Sequence, residues 1–154
     1  MRLTRFTDYS LRVLIYLATR RDDRATISEI AAAFAISESH LTKVVHFLGK
    51  EGLLSNRRGR GGGIELARPA DSINLGALVR AAEGDTALVE CFDTRTNHCV
   101  ITPGCRFRSV LGEALEALEA LYATLDRYTL ADIAQNKRRL ETLFLGGDVT
   151  STDQ

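Results

Sequence analysis

Thr26-Ile27-Ser28-Glu29-Ile30-Ala31-Ala32-Ala33-Phe34-Ala35-Ile36-Ser37-Glu38-Ser39-His40-Leu41-Thr42-Lys43-Val44-Val45-His46-Phe47-Leu48-Gly49-Lys50-Glu51-Gly52 reads as two short helices joined by a tight turn. Thr26 to Glu29 starts the first helix over Ile30, Ala31 and Phe34, and Ala35-Ile36 turns the chain. Ser37 is placed to cap a second helix from Glu38 to about Lys50, which Gly52 closes. At helical spacing Leu41, Val44, Val45 and Leu48 point one way, while Ser39, Lys43, His46 and Lys50 point the other. A polar, basic outer stripe on the second helix of such a pair is what a reader of the DNA major groove needs. Ser37, Ser39, His40, Lys43 and His46 are its candidate DNA-contacting residues.

Downstream, strands over about 54–57 and 64–67 flank a glycine-rich tip and make a two-stranded β-wing. Arg57, Arg58 and Arg60 stud it, available for phosphates or a narrow minor groove. The glycines are not a nucleotide loop, because no Lys-Ser/Thr follows them and Ile64-Glu65-Leu66 reads as a strand. Upstream, residues 7–20 form a helix with Ser10, Val13, Leu14 and Leu17 on one face, Thr7 as its N-cap and Asp8 in its first turn. Together these elements define a winged helix-turn-helix over residues 1–68, in a fold that is mainly α.

Beyond it, Asn74 caps a short helix over Leu75, Leu78 and Val79 that ends near Gly84, and residues 85–102 have little periodicity. Thr102-Pro103 reads as the start of the longest helix, with proline at its first position. Leu111, Leu115, Leu118, Tyr122 and Leu125 recur as a heptad seam, with Glu113, Glu116 and Glu119 off it. A helix with so little to pack on within its own chain predicts a homodimer, joined along those residues. The units are then 1–68, a connecting helix and cysteine loop over 69–104, a dimerisation helix and C-terminal turn over 105–145, and a frayed tail over 146–154.

At 154 residues, 45% hydrophobic and 26% charged, the chain has the ordinary composition of a soluble globular protein. Its longest apolar run, 30–36, is too short for a bilayer, and the N-terminus lacks the pattern of a signal peptide, so a cytoplasmic protein with no membrane partner is expected. Zero net charge hides an asymmetry. Residues 1–68 hold 12 Lys/Arg against 7 Asp/Glu, a balance of +5, and residues 69–154 hold 8 against 13, a balance of −5. The basic half suits contact with a polyanion.

The three cysteines, Cys91, Cys99 and Cys105, all fall within fifteen residues, as Cys-x7-Cys-x5-Cys. Three soft thiolates from one short loop suit a metal or an iron–sulfur cluster, with one position filled from elsewhere. Cys105, in the first turn of the long helix, gains from free backbone N–H groups that favour its thiolate. A zinc site on Cys91, Cys99, Cys105 and His98 has the right ligand types but lacks paired cysteine knuckles. A cluster-free thiol switch is a further reading. Candidates for the fourth ligand are Asp8, His98, Asp93, and a small thiol or water.

The opening Met1-Arg2-Leu3-Thr4 with Asp8-Tyr9, the junction Ile36-Ser37-Glu38-Ser39-His40-Leu41, the wing Arg58-Gly59-Arg60-Gly61-Gly62-Gly63 and the three-cysteine loop ahead of a long helix make a specific set. Through them the chain resembles the bacterial winged-helix repressors that include IscR, NsrR and CymR, over nearly everything from residue 1 to about 130. It is most similar to their nitric-oxide-sensing NsrR branch. The IscR branch places a histidine three positions after the last cysteine, where this chain has Arg108. The resemblance implies that Asp8 of the partner subunit completes a [4Fe–4S] site, although [2Fe–2S] centres also occur in the family. One departure is the seven-residue interval between Cys91 and Cys99, where five is commoner.

These readings converge on a homodimeric repressor of inverted-repeat operators, controlled by an iron–sulfur cluster and signalled by nitric oxide. Alternatives within the same class are an IscR-like sensor of cluster supply or redox state, and the thiol switch. An electron carrier would have no use for the wing or the basic helix face. No nucleophile–base pair stands out, so an enzyme is not expected.

Overall fold

The computed structural model describes residues 2–20, 24–57, 59, 62–84, 89–92, 95 and 97–146. Along the chain lie α1 (Arg5–Thr19), β1 (Arg24–Ala25), α2 (Ile27–Phe34), α3 (Glu38–Lys50), β2 (Leu54–Arg57), β3 (Gly63–Leu66), α4 (Leu75–Glu83), α5 (Phe107–Leu125), α6 (Leu130–Ile133) and α7 (Lys137–Phe144). Of the residues singled out from sequence, Arg58, Arg60, Asp93 and the tail from 147 onward lie outside the described residues.

Local chemistry explains the helix pair. Thr26 and Glu29 close a capping box: the Glu29 carboxylate accepts from the Thr26 N–H at 2.6 Å and the Thr26 hydroxyl accepts from the Glu29 N–H at 3.2 Å. The backbone bond from Thr26 is the main reason the Glu29 carboxyl lies below its usual range. Ala35 ends α2 in the left-handed region, φ 51°, and the Ile36 N–H turns back to the Ala31 carbonyl at 3.1 Å. On α3, Leu41, Val44, Val45 and Leu48 are buried and Ser39, Lys43, His46 and Lys50 exposed, as the periodicity predicts. Ser37 stands at the cap position, but its hydroxyl makes no capping bond. It meets His40 Nδ1 at 3.0 Å and Ser39 Oγ at 3.3 Å instead.

The fold is a mainly helical winged helix-turn-helix, with a sheet of three strands where sequence predicted two. β2 and β3 pair antiparallel with Asn56 opposite Ile64, and β1 adds to the other side of β3 with Ala25 opposite Ile64. Two residues are too few for an alternating pattern, so β1 carries no local signal. A Cβ on Gly63 would sit 2.8 Å from the Ala25 carbonyl oxygen, so β1 is what requires glycine there.

Two helix starts differ from expectation. α1 is capped by Thr4, whose hydroxyl accepts from the Thr7 N–H at 3.3 Å, and Thr7 itself is fully buried. α5 begins at Phe107 rather than at Pro103, because 99–104 is taken up by successive turns: the Thr102 N–H reaches the Cys99 carbonyl and the Gly104 N–H the Ile101 carbonyl. Cys105 therefore precedes the first turn of α5.

Val13, Leu14 and Leu17 of α1 pack with Ile30, Leu41, Val44, Leu48 and Ile64, and the same core takes in Ile73, Leu78, Leu130 and Ala134 from beyond residue 68. Residues 129–145 do more than supply a C-terminal turn. They form α6 and α7, and α7 returns to α1, where the Phe144 ring lies 4.9 Å from Tyr16 and 5.3 Å from Phe34. The C-terminal end of α5 is clasped to α4, with Arg80 making a two-pronged pair with Asp126 at 2.7 and 2.8 Å. The Arg80 guanidinium lies 4.7 Å over the ring of Tyr122. Tyr122, predicted for the dimer seam, is thus only 3% exposed inside its own chain. Among the described residues no helix is long and apolar enough to cross a membrane.

Candidate functional site

α3 presents Ser39, Lys43, His46 and Lys50 on one open face. Ser37 gives the helix no side-chain cap, and the His40 and Leu41 N–H groups close back on its carbonyl at 3.1 and 3.2 Å, beside the exposed His40 ring. β2 carries exposed Arg57 toward the wing tip, where Gly59 takes φ 104° and its carbonyl accepts from the Gly62 N–H at 2.8 Å. α1 fixes this face from behind through Phe6, whose ring meets Phe47 of α3 edge-on at 5.1 Å.

The three cysteines come together. All are free thiols and half-buried, and all line one cavity of 160 Å³ with Val89, Ile101, Thr102 and Phe107. Each is set by local bonding. Cys91 sits in a 3-10 turn over Glu90–Phe92. The Asn97 side chain accepts from the Cys99 N–H at 3.0 Å and donates to the Thr102 hydroxyl at 3.2 Å. Cys105 Sγ accepts from the N–H of Phe107, the first residue of α5, at 3.4 Å.

Among the described residues no three His, Cys, Asp or Glu side chains stand close enough to hold a single metal ion. The thiols surround a space instead, about ten times the roughly 15 Å³ that one water requires. A soft, three-thiol rim around such a space fits a polynuclear iron–sulfur group better than one zinc ion. His98 is exposed and does not line the cavity.

Asp8 does not line it either. Its carboxylate takes a forked pair from Arg12 of its own helix, Nη2 at 2.9 Å and Nε at 3.1 Å, with both side chains more than 40% exposed. The Arg12 guanidinium in turn lies 5.7 Å from the ring of Phe34 at the end of α2.

A residue that sequence reasoning missed joins these parts. Glu83, the last residue of α4, accepts from the Thr4 N–H at 2.9 Å, the Thr4 hydroxyl at 3.1 Å and the Thr7 hydroxyl, all at one oxygen. Burial pushes its carboxyl up, and the bonds from Thr7 and Thr4 more than offset this and leave it below the usual range. An acid in the last turn of a helix opposes the helix dipole, and that was the available signal. Its partners, more than seventy residues away, were not legible.

The chain matches the Rrf2 family, described as iron-dependent transcriptional regulators, over residues 3–136. It is 49% identical over 144 residues to the HTH-type transcriptional regulator NsrR of Oceanobacillus iheyensis, covering 93% of this chain and 96% of that protein. To the regulator of the same name in Bacillus subtilis it is 48% identical, covering 93% and 97%. Among solved structures it is similar to CymR, described as the global cysteine regulator of B. subtilis, with a TM-score of 0.67 and 26% identity over 88% of this chain and 97% of that one. It shares its fold with T. potens IscR, at a TM-score of 0.67 and 23% identity over 92% and 91%.

Proposed function

We propose, for a chain that belongs to the Rrf2 family of iron-dependent transcriptional regulators, that it represses inverted-repeat operators as a homodimer and releases them in response to nitric oxide. Regulation of transcription, a non-enzymatic role, is the family's activity. The observation that carries the finer reading is the meeting of Cys91, Cys99 and Cys105 round one cavity at the foot of α5. Those thiols are the proposed ligands, and Asp8 of the partner subunit is the proposed fourth. An iron–sulfur cluster bound there, [4Fe–4S] in preference to [2Fe–2S], supplies iron to which nitric oxide binds.

The chain's own residues then carry the signal. Asp8 has to leave Arg12 before it can serve a partner, and an exposed pair of this kind is worth only about 0.2–1 kcal/mol. Glu83 stands at the root of the cysteine loop and grips Thr4 and Thr7, so a shift of that loop reaches the first turn of α1. α1 passes it to α3 through Phe6 and Phe47. Ser39, Lys43 and His46 are the proposed base-edge contacts; Ser37, His40, Arg57, Arg58 and Arg60 are assigned to the backbone and minor groove. Two heads tilted out of register lose an operator of fixed half-site spacing, and a coupling of about 1–3 kcal/mol is enough.

Anaerobic purification with iron and sulfide analysis, followed by nitric oxide titration while visible absorbance and operator binding are read together, tests this. Loss of absorbance and of DNA binding in step supports the reading. Colourless protein with stoichiometric zinc overturns the cluster. Release of DNA by iron depletion or peroxide but not by nitric oxide would reassign the signal to cluster supply or thiol oxidation.

A further inference from the structure

The end of α1 and the returning α7 flank an open cavity of 490 Å³ lined by Tyr16, Arg20, Arg138, Glu141, Thr142, Phe144 and Leu145. It lies away from the cysteine cavity and shares no lining residue with it. We infer that this cavity is a binding site for a small aromatic carboxylate.

Its size falls within the roughly 300–1,000 Å³ of small-molecule sites. Tyr16 and Phe144, with ring centroids 4.9 Å apart and inclined at 42°, supply an aromatic wall against which a flat apolar body packs. Arg20 and Arg138 supply cationic forks that match a carboxylate. Arg20 is already oriented: its Nη1 donates to the Tyr16 hydroxyl at 3.0 Å and its guanidinium lies 5.5 Å over that ring. Its Nη2 also lies 3.9 Å from Glu29, a loose pair at a half-exposed carboxylate. A carboxylate on a wall that carries two guanidiniums is favoured over a neutral group of the same size.

The cavity also has a route to the reading head. Phe144 is in edge contact with Phe34 at 5.3 Å, and Phe34 is the last residue of α2, immediately before the left-handed turn at Ala35 that aims α3. An occupant packed on Phe144 bears on that turn, so the site would act as a second input to DNA binding that needs no cluster.

The test is an amide NMR titration of the full chain with benzoate, benzyl alcohol and inorganic phosphate. Saturable shifts at Tyr16, Arg20, Thr142 and Phe144 are expected with benzoate, and responses about tenfold weaker with the other two probes. Arg138 is exposed, so Arg138→Gln and Arg138→Glu should leave the fold and melting temperature unchanged while weakening benzoate about tenfold. Shifts that do not saturate, an equal response to all three probes, or undiminished binding by both variants would overturn the assignment. None of these readouts depends on iron, so failure here is distinct from failure of the nitric oxide reading.

Discussion

Two acidic residues near the start of α1 do opposite things, and their surroundings explain the difference. Glu83 is half-buried, with three donors on one oxygen, whereas Asp8 is half-exposed and holds a single arginine. The Glu83 carboxyl is ionised at a lower pH in the folded chain than its ordinary 4.5, so its stabilisation is complete above that value and fades as pH falls through the lowered one. Glu83→Gln should therefore melt a few degrees below the parent at neutral pH, with the gap closing in acid. A gap of constant size across that range would mean that the carboxylate charge plays no part. Asp8→Ala has the contrary expectation. The exposed pair with Arg12 is worth little, so melting should hardly change, while cluster absorbance and operator affinity fall together. Unchanged absorbance would remove Asp8 from the ligand set.

At the scale of elements, the periodic parts of the chain were legible and the non-local joints were not. α3 showed its buried and exposed faces in the spacing of Leu41, Val44, Val45 and Leu48 against Ser39, Lys43, His46 and Lys50. The cysteine spacing likewise points to one shared site, and the three side chains line one cavity. β1, the Glu83 grip and the return of α7 onto Tyr16 and Phe34 rest on contacts between distant segments, for which local patterns hold no record. Thr102-Pro103 misled because proline suits a turn as well as a first helical position. The α4–α5 joint is a case in which geometry gives a prediction that spacing could not. A Cβ on Gly76 would lie 2.0 Å from Asp126 Oδ1 and 2.9 Å from the Asp126 backbone nitrogen, so Gly76→Ala must push α5 away. Overpacking of this kind costs about 1–3 kcal/mol, and thermal unfolding measures it; an unshifted melting temperature would show that the joint yields freely. On α3, Lys43→Ala should relax sequence preference at the base pair that Lys43 is proposed to read, at a cost of about 1–3 kcal/mol on the operator, measured by binding to operator variants. A loss equal for all DNA sequences, with the salt slope reduced by about one, would place Lys43 at a phosphate instead.

For the whole molecule, the decisive question is what covers α5. Its C-terminal end is spoken for, since Tyr122 is buried under Arg80 and Asp126 holds Arg80 from the turn beyond. Its N-terminal end is different. Phe107 and Val110 are 53% and 58% exposed, Ile101 just ahead of them is 62% exposed, and Leu111, Leu115 and Leu118 are only half-buried. That apolar strip starts beside the cysteine cavity, so a second subunit lying along it would stand next to Cys105. The proposed pairing therefore belongs to the first turns of α5 through Leu118, a shorter seam than the heptad spacing alone suggests. Leu111→Glu places a charge in the middle of it and leaves the buried core of the chain alone. Sedimentation should show a monomer with an unchanged melting profile, and operator affinity should fall on the order of a hundredfold as the two heads lose their link. If the variant stays dimeric, the seam lies elsewhere; if it becomes monomeric yet binds the operator as tightly, pairing is not what gives the heads their spacing.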